Sequence, residues 1–427
     1  MKIYPVLLGC PKNRVDAEKF LAELKERGVT IVLDPEEAEI LYVNTCAFIR
    51  EAVEESLDVI FELAEQKKEG QRLVVGGCLV TRYRESLLDE LPEVDQFIGI
   101  EAYRSPEVIF SQDRYCLRFE GRETPRRLLT ENPFCAYLKI TEGCSHACSF
   151  CTIPRIRGPL RSVPEGIILE EAKNLVAQGV QEIILVGQDV TAYGKDQGKP
   201  KLASLLRRLV KEVSPYWLRL LYLYPDGLSE EIIEVVLMEK SICPYFDIPI
   251  QHASPEILKK MRRLADPKKI LSLIEQIRGA SKEAAIRTSI IVGFPGETER
   301  DFEILLEFLK VAQFDHLGAF IYSPEEGTLA AKMPGQISEE EKKARFHEVM
   351  KLQQEISQKR LAKRLGDTTE VLIEGVDEEG RLVGHACFQA PEIDGITYVE
   401  GEATVGDIVP VKIVSTDVYD CFAKPLS

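Results

Sequence analysis

The stretch Thr141-Glu142-Gly143-Cys144-Ser145-His146-Ala147-Cys148-Ser149-Phe150-Cys151 follows directly on an apolar strand pattern, Ala136–Thr141, and decides how the middle of the chain is read. Three thiols fall within eight residues, with no fourth cysteine at the usual short range. A cubane iron–sulfur cluster takes four thiolates. A loop that offers three leaves one iron open, and an open iron can bind a small chelating ligand. Zinc is the competing reading, but a closed structural zinc site needs four nitrogen or sulfur ligands, and Cys135 or His146 would have to supply the fourth.

Outward from this loop the alternation of strand and helix patterns continues. Six strand patterns span 136–141, 182–186, 217–221, 245–248, 286–291 and 316–320, with helical patterns between them, such as Leu202, Leu205, Leu206, Leu209 and Val213 on one face. Six βα units with right-handed crossovers predict a partial (β/α)6 barrel of the TIM type, open on one side. Active sites of such barrels lie at the carboxyl ends of the strands. The unusual tracts fall there: the cysteine loop, Gly187-Gln188-Asp189, Tyr222-Leu223-Tyr224-Pro225, Gln251-His252, Gly293-Phe294-Pro295-Gly296-Glu297 and Tyr322-Ser323-Pro324. Gln188 and Asp189 can fix ribose hydroxyls or the amino-acid end of a cofactor, and can equally cap the next helix. His252 alone reads as a satisfied buried histidine, and the glycine-rich tract as a strand-to-helix connection.

The first part of the chain shows a smaller βα alternation. Strand patterns at Ile3–Leu8, Glu39–Val43 and Arg72–Val75 are separated by helical faces, Ala17, Phe20, Leu21 and Leu24 in one and Val53, Leu57, Ile60, Phe61 and Ala64 in the other. This predicts an N-terminal α/β domain with a parallel sheet. Each strand pattern ends close to a cysteine, in Leu8-Gly9-Cys10, Asn44-Thr45-Cys46 and Gly76-Gly77-Cys78. Parallel strands deliver their carboxyl ends to one edge, so Cys10, Cys46 and Cys78 are expected to converge on a second three-thiolate site. Cysteine is also a frequent core residue. Cys116, Cys135, Cys243, Cys387 and Cys421 lack any such pattern and read as ordinary thiols.

A helical pattern at about 338–365 carries Val349, Leu352 and Ile356 and gives way to short strands at Glu370–Ile373, Leu382–His385, Thr397–Val399 and Ile408–Val414. These predict a small antiparallel β-barrel. The expected domains are 1–125, 130–362 and 363–427, in keeping with a chain of 427 residues. There is no apolar stretch long enough to cross a bilayer and no cleavable leader pattern after Met1, so a cytoplasmic protein is expected, with no membrane partner. Eleven cysteines in such a compartment argue for thiolate ligands and free thiols over disulfides. The net charge is −16, and from Asp367 to Ser427 thirteen acids stand against three bases. That excess argues against nucleic acid as substrate and for a basic partner, although a solvated acidic surface is the plain alternative.

The Cys-x3-Cys-x2-Cys spacing, with Phe150 just before the third cysteine, resembles the radical S-adenosylmethionine enzymes. The order of parts resembles the methylthiotransferases over essentially the whole chain. In that family one branch acts on a transfer-RNA adenosine and another on an aspartate of small-subunit ribosomal protein S-twelve. Asn44-Thr45-Cys46-Ala47-Phe48-Ile49 with Ala52 and Glu55-Ser56, Gln188-Asp189, and Gln251-His252-Ala253-Ser254-Pro255 with Ile257-Leu258 and Met261 are similar to the second branch. The resemblance implies two [4Fe-4S] clusters and S-adenosyl-L-methionine, with Cys144, Cys148 and Cys151 holding one cluster and Cys10, Cys46 and Cys78 the other. It implies that Phe150 packs near the adenine, and Gln188, from its place at the barrel mouth, is expected to contact the cofactor. It further implies a TRAM-like C-terminal barrel, β-methylthiolation of the aspartate and an electron donor such as flavodoxin or ferredoxin. No catalytic side chain beyond the cluster ligands is implied. Val163, in Arg161-Ser162-Val163-Pro164, stands where an arginine is common in the family, so no contact from that arginine carries over.

Overall fold

The structure is a computed structural model that describes residues 1–117, 121–263 and 265–426. Ser427, the last residue of the expected C-terminal domain, lies outside them. The chain divides into two compact units, one of residues 1–146, 151–178 and 186–188, the other of residues 147–150, 179–185 and 189–427.

The first unit opens with β1 (Lys2–Leu7), α1 (Pro11–Glu26), β2 (Thr30–Ile31), β3 (Ile40–Thr45), α2 (Arg50–Gln66) and β4 (Arg72–Gly77). α3 (Cys78–Tyr83), α4 (Leu87–Glu90), β5 (Gln96–Gly99) and β6 (Tyr115–Cys116) complete a six-stranded sheet in the order β2-β1-β3-β4-β5-β6. Every pairing is parallel. The strands are apolar on both faces because helices cover both. Leu41, Val43, Leu73, Val75 and Phe97 meet Ile60 and Leu63 of α2, whereas Ile40, Tyr42, Val74 and Ile98 meet Phe20, Leu21 and Leu24 of α1. The sequence pattern placed Phe61 on the buried face of α2, but it is 44% exposed, and Ser56 is buried instead. A polar residue takes that place because its hydroxyl bonds the backbone of Cys46 and Ala52.

The unit continues with β7 (Cys135–Lys139), β8 (Thr141–Glu142), α5 (Ile153–Arg157), β9 (Arg161–Ser162) and α6 (Glu165–Ala177). The stretch at 121–132, which reads as a polar connection, is pinned by a buried ion group. Arg127 donates to Glu171 Oε1 at 2.9 Å and to Tyr137 O at 2.7 Å, and is paired with Glu18 of α1. Val163 is buried, and its N–H donates to Ile140 O at 2.9 Å.

The second unit carries β10 (Glu182–Val186), α7 (Leu202–Glu212), β11 (Trp217–Leu220), α8 (Glu230–Met238), β12 (Tyr245–Asp247), α9 (Pro255–Lys260), α10 (Pro267–Ala280), β13 (Ala285–Val292), α11 (Glu299–Ala312), β14 (His316–Ile321) and α12 (Glu339–Ala362). In sequence, β7, β10, β11, β12, β13 and β14 coincide with the six strand patterns expected between 136 and 320. β10 and β11 pair in parallel, as do β12, β13 and β14. No helix among the described residues is long and apolar enough to cross a membrane.

Five strands, β15 (Thr368–Val376), β16 (Leu382–Ala386), β17 (Thr397–Val399), β18 (Ile408–Thr416) and β19 (Cys421–Pro425), close a barrel in the order β15-β16-β17-β19-β18. Four pairings are antiparallel and the closing pair β17–β19 is parallel. β19 has no counterpart in the strand patterns read from the sequence. Val371, Ile373, Val411, Ile413 and Ala423 fill the interior.

β16 docks on β10 through a buried ionic group. His385 pairs with Glu182 through Nε2 and lies 2.9 Å from Glu374 through Nδ1, and Arg219 of β11 also pairs with Glu182. Burial alone would lower the histidine pKa, but the two carboxylates outweigh it and raise it to about 9. A raised histidine stabilises the fold fully below its ordinary 6.5, and that contribution is lost as pH rises through about 9. The expected result is a destabilisation on the order of 3 kcal/mol between about pH 7 and pH 10 that His385→Gln abolishes. Trp217, the chain's one tryptophan, has its ring 5.7 Å from His385, so its fluorescence reports the transition. Identical pH profiles for the two proteins would contradict the assignment.

Candidate metal centres

Three N-terminal thiols meet at one sheet edge. β1, β3 and β4 are neighbours in parallel register, with Leu7 opposite Asn44 and Thr45 opposite Gly77. Cys10 stands three residues past β1, Cys46 directly past β3, and Cys78 directly past β4 at the start of α3. The glycines that precede them answer to this crowding. Gly9 has φ +94°, and a Cβ there would lie 2.8 Å from Cys46 Cβ; Gly77 has φ +101°, and a Cβ would lie 2.6 Å from Thr45 O.

Asn13, Ser56 and Tyr103, none of them expected as a site residue, fix the edge. Asn13 Nδ2 donates to Leu8 O at 2.8 Å and to Thr45 O at 3.0 Å, tying the ends of β1 and β3 together. Ser56 Oγ accepts from Cys46 N at 3.1 Å and bonds Cys46 O at 3.0 Å. Tyr103 donates to Asn44 Oδ1 at 2.8 Å. A buried serine within an apolar helix face was the available signal for Ser56; nothing in the spacing of Asn13 gave its role away.

The thiols differ electrostatically. Burial pushes Cys78 up to about 12 and raises Cys46. At Cys10 burial acts in the same direction, but the charges of Lys12 and Arg157 outweigh it and lower the pKa. Three such thiols become thiolates together only with a cation among them, and a bound metal deprotonates a coordinating thiol outright. The donor set therefore fits an iron–sulfur group.

The loop 144–151 is anchored at both ends. Cys144 N donates to Gly158 O at 3.1 Å, and His146 N lies 3.4 Å from Cys144 Sγ. Gly143 has φ +70°, and a Cβ there would sit 2.3 Å from Pro159 O. In the second unit, Ser149 N donates to Met261 O at 3.1 Å and Ser149 O accepts from Ala330 N at 2.8 Å. Phe150 meets Phe294 edge-on at 6.4 Å, and Phe294 in turn meets Tyr322 at 5.3 Å. Cys144, Cys148 and Cys151 are each half-buried.

Glu297 is buried, accepts from Phe294 N at 3.2 Å and from Arg345 Nη1 at 2.6 Å, and lies 3.5 Å from His252 Nε2. It holds Phe294 where Phe150 packs. Thr298 then caps α11 reciprocally with Asp301. His252 Nδ1 accepts from Ser254 N at 2.9 Å, so this histidine orders its own loop.

Gln188 is different. Both atoms of its amide are buried without a hydrogen-bond partner, and Thr141 Oγ1 shares that condition. Gly187 must be glycine, because a Cβ would lie 2.0 Å from Thr141 Oγ1. Unpaired buried polar atoms cost about 1–3 kcal/mol each, so this pair fits a polar ligand. Asp189 is buried and accepts from Thr191 Oγ1 at 2.6 Å. The expected consequence is that Gln188→Ala weakens equilibrium binding of S-adenosylmethionine by up to about tenfold. An unchanged dissociation constant would remove Gln188 from the cofactor contacts.

Residues 138–309 match the Radical SAM superfamily, residues 2–99 the Uncharacterized protein family UPF0004, and residues 365–426 the TRAM domain. The chain is 47% identical to the ribosomal protein uS12 methylthiotransferase RimO of Geobacter sulfurreducens, over 100% of this chain and 99% of the relative. It is 46% identical to the protein of the same name from Aquifex aeolicus, over 98% and 96% of the two chains. Among solved structures, the radical S-adenosylmethionine methyltransferase TsrM from Kitasatospora setae, with cobalamin and a [4Fe-4S] cluster bound, is similar with a TM-score of 0.56 at 13% identity, over 77% of this chain and 76% of that one. That likeness concerns the fold.

Proposed function

Because the chain belongs to the family of ribosomal protein uS12 methylthiotransferases, we infer that it is a radical S-adenosylmethionine enzyme that replaces a hydrogen on the β-carbon of an aspartate of uS12 by a methylthio group. The observation that carries this reading is 44–47% identity along essentially the whole length to proteins of that name, together with two separate cysteine trios. In this reading Cys144, Cys148 and Cys151 hold one [4Fe-4S] cluster, and Cys10, Cys46 and Cys78 hold the other. Once bound, the clusters and S-adenosylmethionine supply the radical, the sulfur and the methyl group. The chain's own work is positional. Asn13 and Ser56 set the spacing of the N-terminal thiols, Gln188 orients the cofactor, and Phe150, backed by Phe294, shields the adenine from water. No side-chain base is needed for abstraction of a hydrogen atom. The division of labour follows residues 1–125, 130–362 and 363–427, and the electrons come from a donor such as flavodoxin or ferredoxin in the cytoplasm.

The charge of the C-terminal barrel supports a protein substrate. Thirteen acids against three bases would repel a polyanion, whereas a strongly basic ribosomal protein is steered toward such a field. Incubating the anaerobically reconstituted enzyme with uS12, or with transfer RNA, and weighing each product tests the reading. A methylthio group on the protein alone is expected. A methylthio group on the adenosine, with uS12 untouched, would refute it.

A further inference from the structure

A guanidinium lies against the N-terminal trio. Arg157 ends α5, six residues beyond Cys151, and is buried. Its Nη2 lies 3.3 Å from Cys78 Sγ and donates to Asn13 Oδ1 at 3.2 Å. Its Nη1 donates to Asp16 Oδ2 at 2.6 Å and to Glu142 Oε2 at 3.1 Å. Lys139 is paired with the same two carboxylates. Lys139 and Arg157 together balance the two carboxylates, and both of those ion pairs run through Nη1 on the arginine side, so the Nη2 N–H turned toward sulfur is surplus to that pairing. The carboxylates grip one edge of the planar fork and thereby aim its other edge at the thiol.

We propose that Arg157 sets the reduction potential of the iron–sulfur group held by Cys10, Cys46 and Cys78, with Asp16 and Glu142 as the residues that orient it. The inference rests on the ligand reading given under Proposed function. Three thiolates around such a group leave buried negative charge, and each added electron increases it. A fixed cation touching a ligand sulfur favours the reduced state, and the potential of these groups follows net charge and hydrogen bonds to sulfur. Arg157 is thus a positioning and tuning residue, and it lies on the same short stretch of chain as the other cysteine trio.

The test uses the full chain with Cys144, Cys148 and Cys151 replaced by Ala, reconstituted anaerobically with iron and sulfide, so that paramagnetic resonance during a redox titration sees the N-terminal group alone. Arg157→Gln is expected to lower the potential by at least the equivalent of a tenfold change in the one-electron equilibrium, about 59 mV. Arg157→Lys, which keeps the charge, should restore most of it. Asp16→Asn removes a negative charge from the far side of the guanidinium and should move the potential the opposite way. A merely structural role would not produce shifts of opposite sign. Should Arg157→Gln fail to retain iron, Asp16→Asn still decides. Unshifted potentials, or shifts of one sign in both variants, overturn the proposal while the ligand reading stands. Absence of iron in the triple-alanine chain overturns the ligand reading and the proposal with it.

Discussion

Cys46→Ala is expected to end methylthiolation while S-adenosylmethionine is still cleaved to 5′-deoxyadenosine. The separation follows from where the thiol sits. Cys46 lies at the end of β3 between Cys10 and Cys78, far in sequence from the loop 144–151, so in the proposed reading its loss empties one cluster and leaves the ligands of the other in place. Ser56 remains to satisfy the backbone of residue 46, and alanine fits a position that is 7% exposed, so the sheet itself should hold. The checks are iron content, which should fall by half, and product analysis, which should show cleavage without sulfur transfer. Retention of methylthio product by the variant would reduce the N-terminal cysteines to packing.

The second large effect concerns stability. Arg127→Ala should cost about 3–5 kcal/mol, because it leaves the buried Glu18 carboxylate without a cation, with Thr130 as its remaining donor, leaves Glu171 to Lys19 alone, and frees Tyr137 O of its donor. Both acids have essentially no exposed side-chain surface, so water does not replace the guanidinium. Urea denaturation of the metal-free protein measures this directly. A loss below about 1 kcal/mol would mean that the group is solvated in solution and behaves as a surface pair.

The contrast between these residues explains what could be read from sequence. The cysteines announced themselves because thiols placed one to three residues beyond apolar runs stand out, and chain direction in a parallel sheet brings those ends to one edge. The barrel strands followed from apolar runs, and α7 from apolar residues at helical spacing. Arg127 did not, because in sequence it stands among charged and polar residues that look like any solvated linker, and only tertiary pairing buries it. Asn13 and Arg157 were hidden for a related reason. Their value lies in hydrogen bonds across 32 and 79 residues of chain, and no local pattern encodes those. Phe61 shows the opposite error. Its spacing suits the buried face of α2, but Ser56 holds that side close to the Cys46 backbone and the ring is left toward solvent. β19 escaped because the barrel closes through a parallel pair of short strands, which the hairpin rhythm of the earlier ones does not foreshadow.

In the proposed two-cluster reading, the separation of the N-terminal thiols along the chain also sets the order in which metal is acquired. Cys144, Cys148 and Cys151 are near neighbours in any conformation, so even a nascent or unfolded polypeptide can begin to chelate iron there. Cys10, Cys46 and Cys78 become neighbours only when β1, β3 and β4 have zipped into one sheet. Maturation therefore has a built-in sequence: the second centre waits for folding to finish, and a chain whose sheet frays releases that metal first.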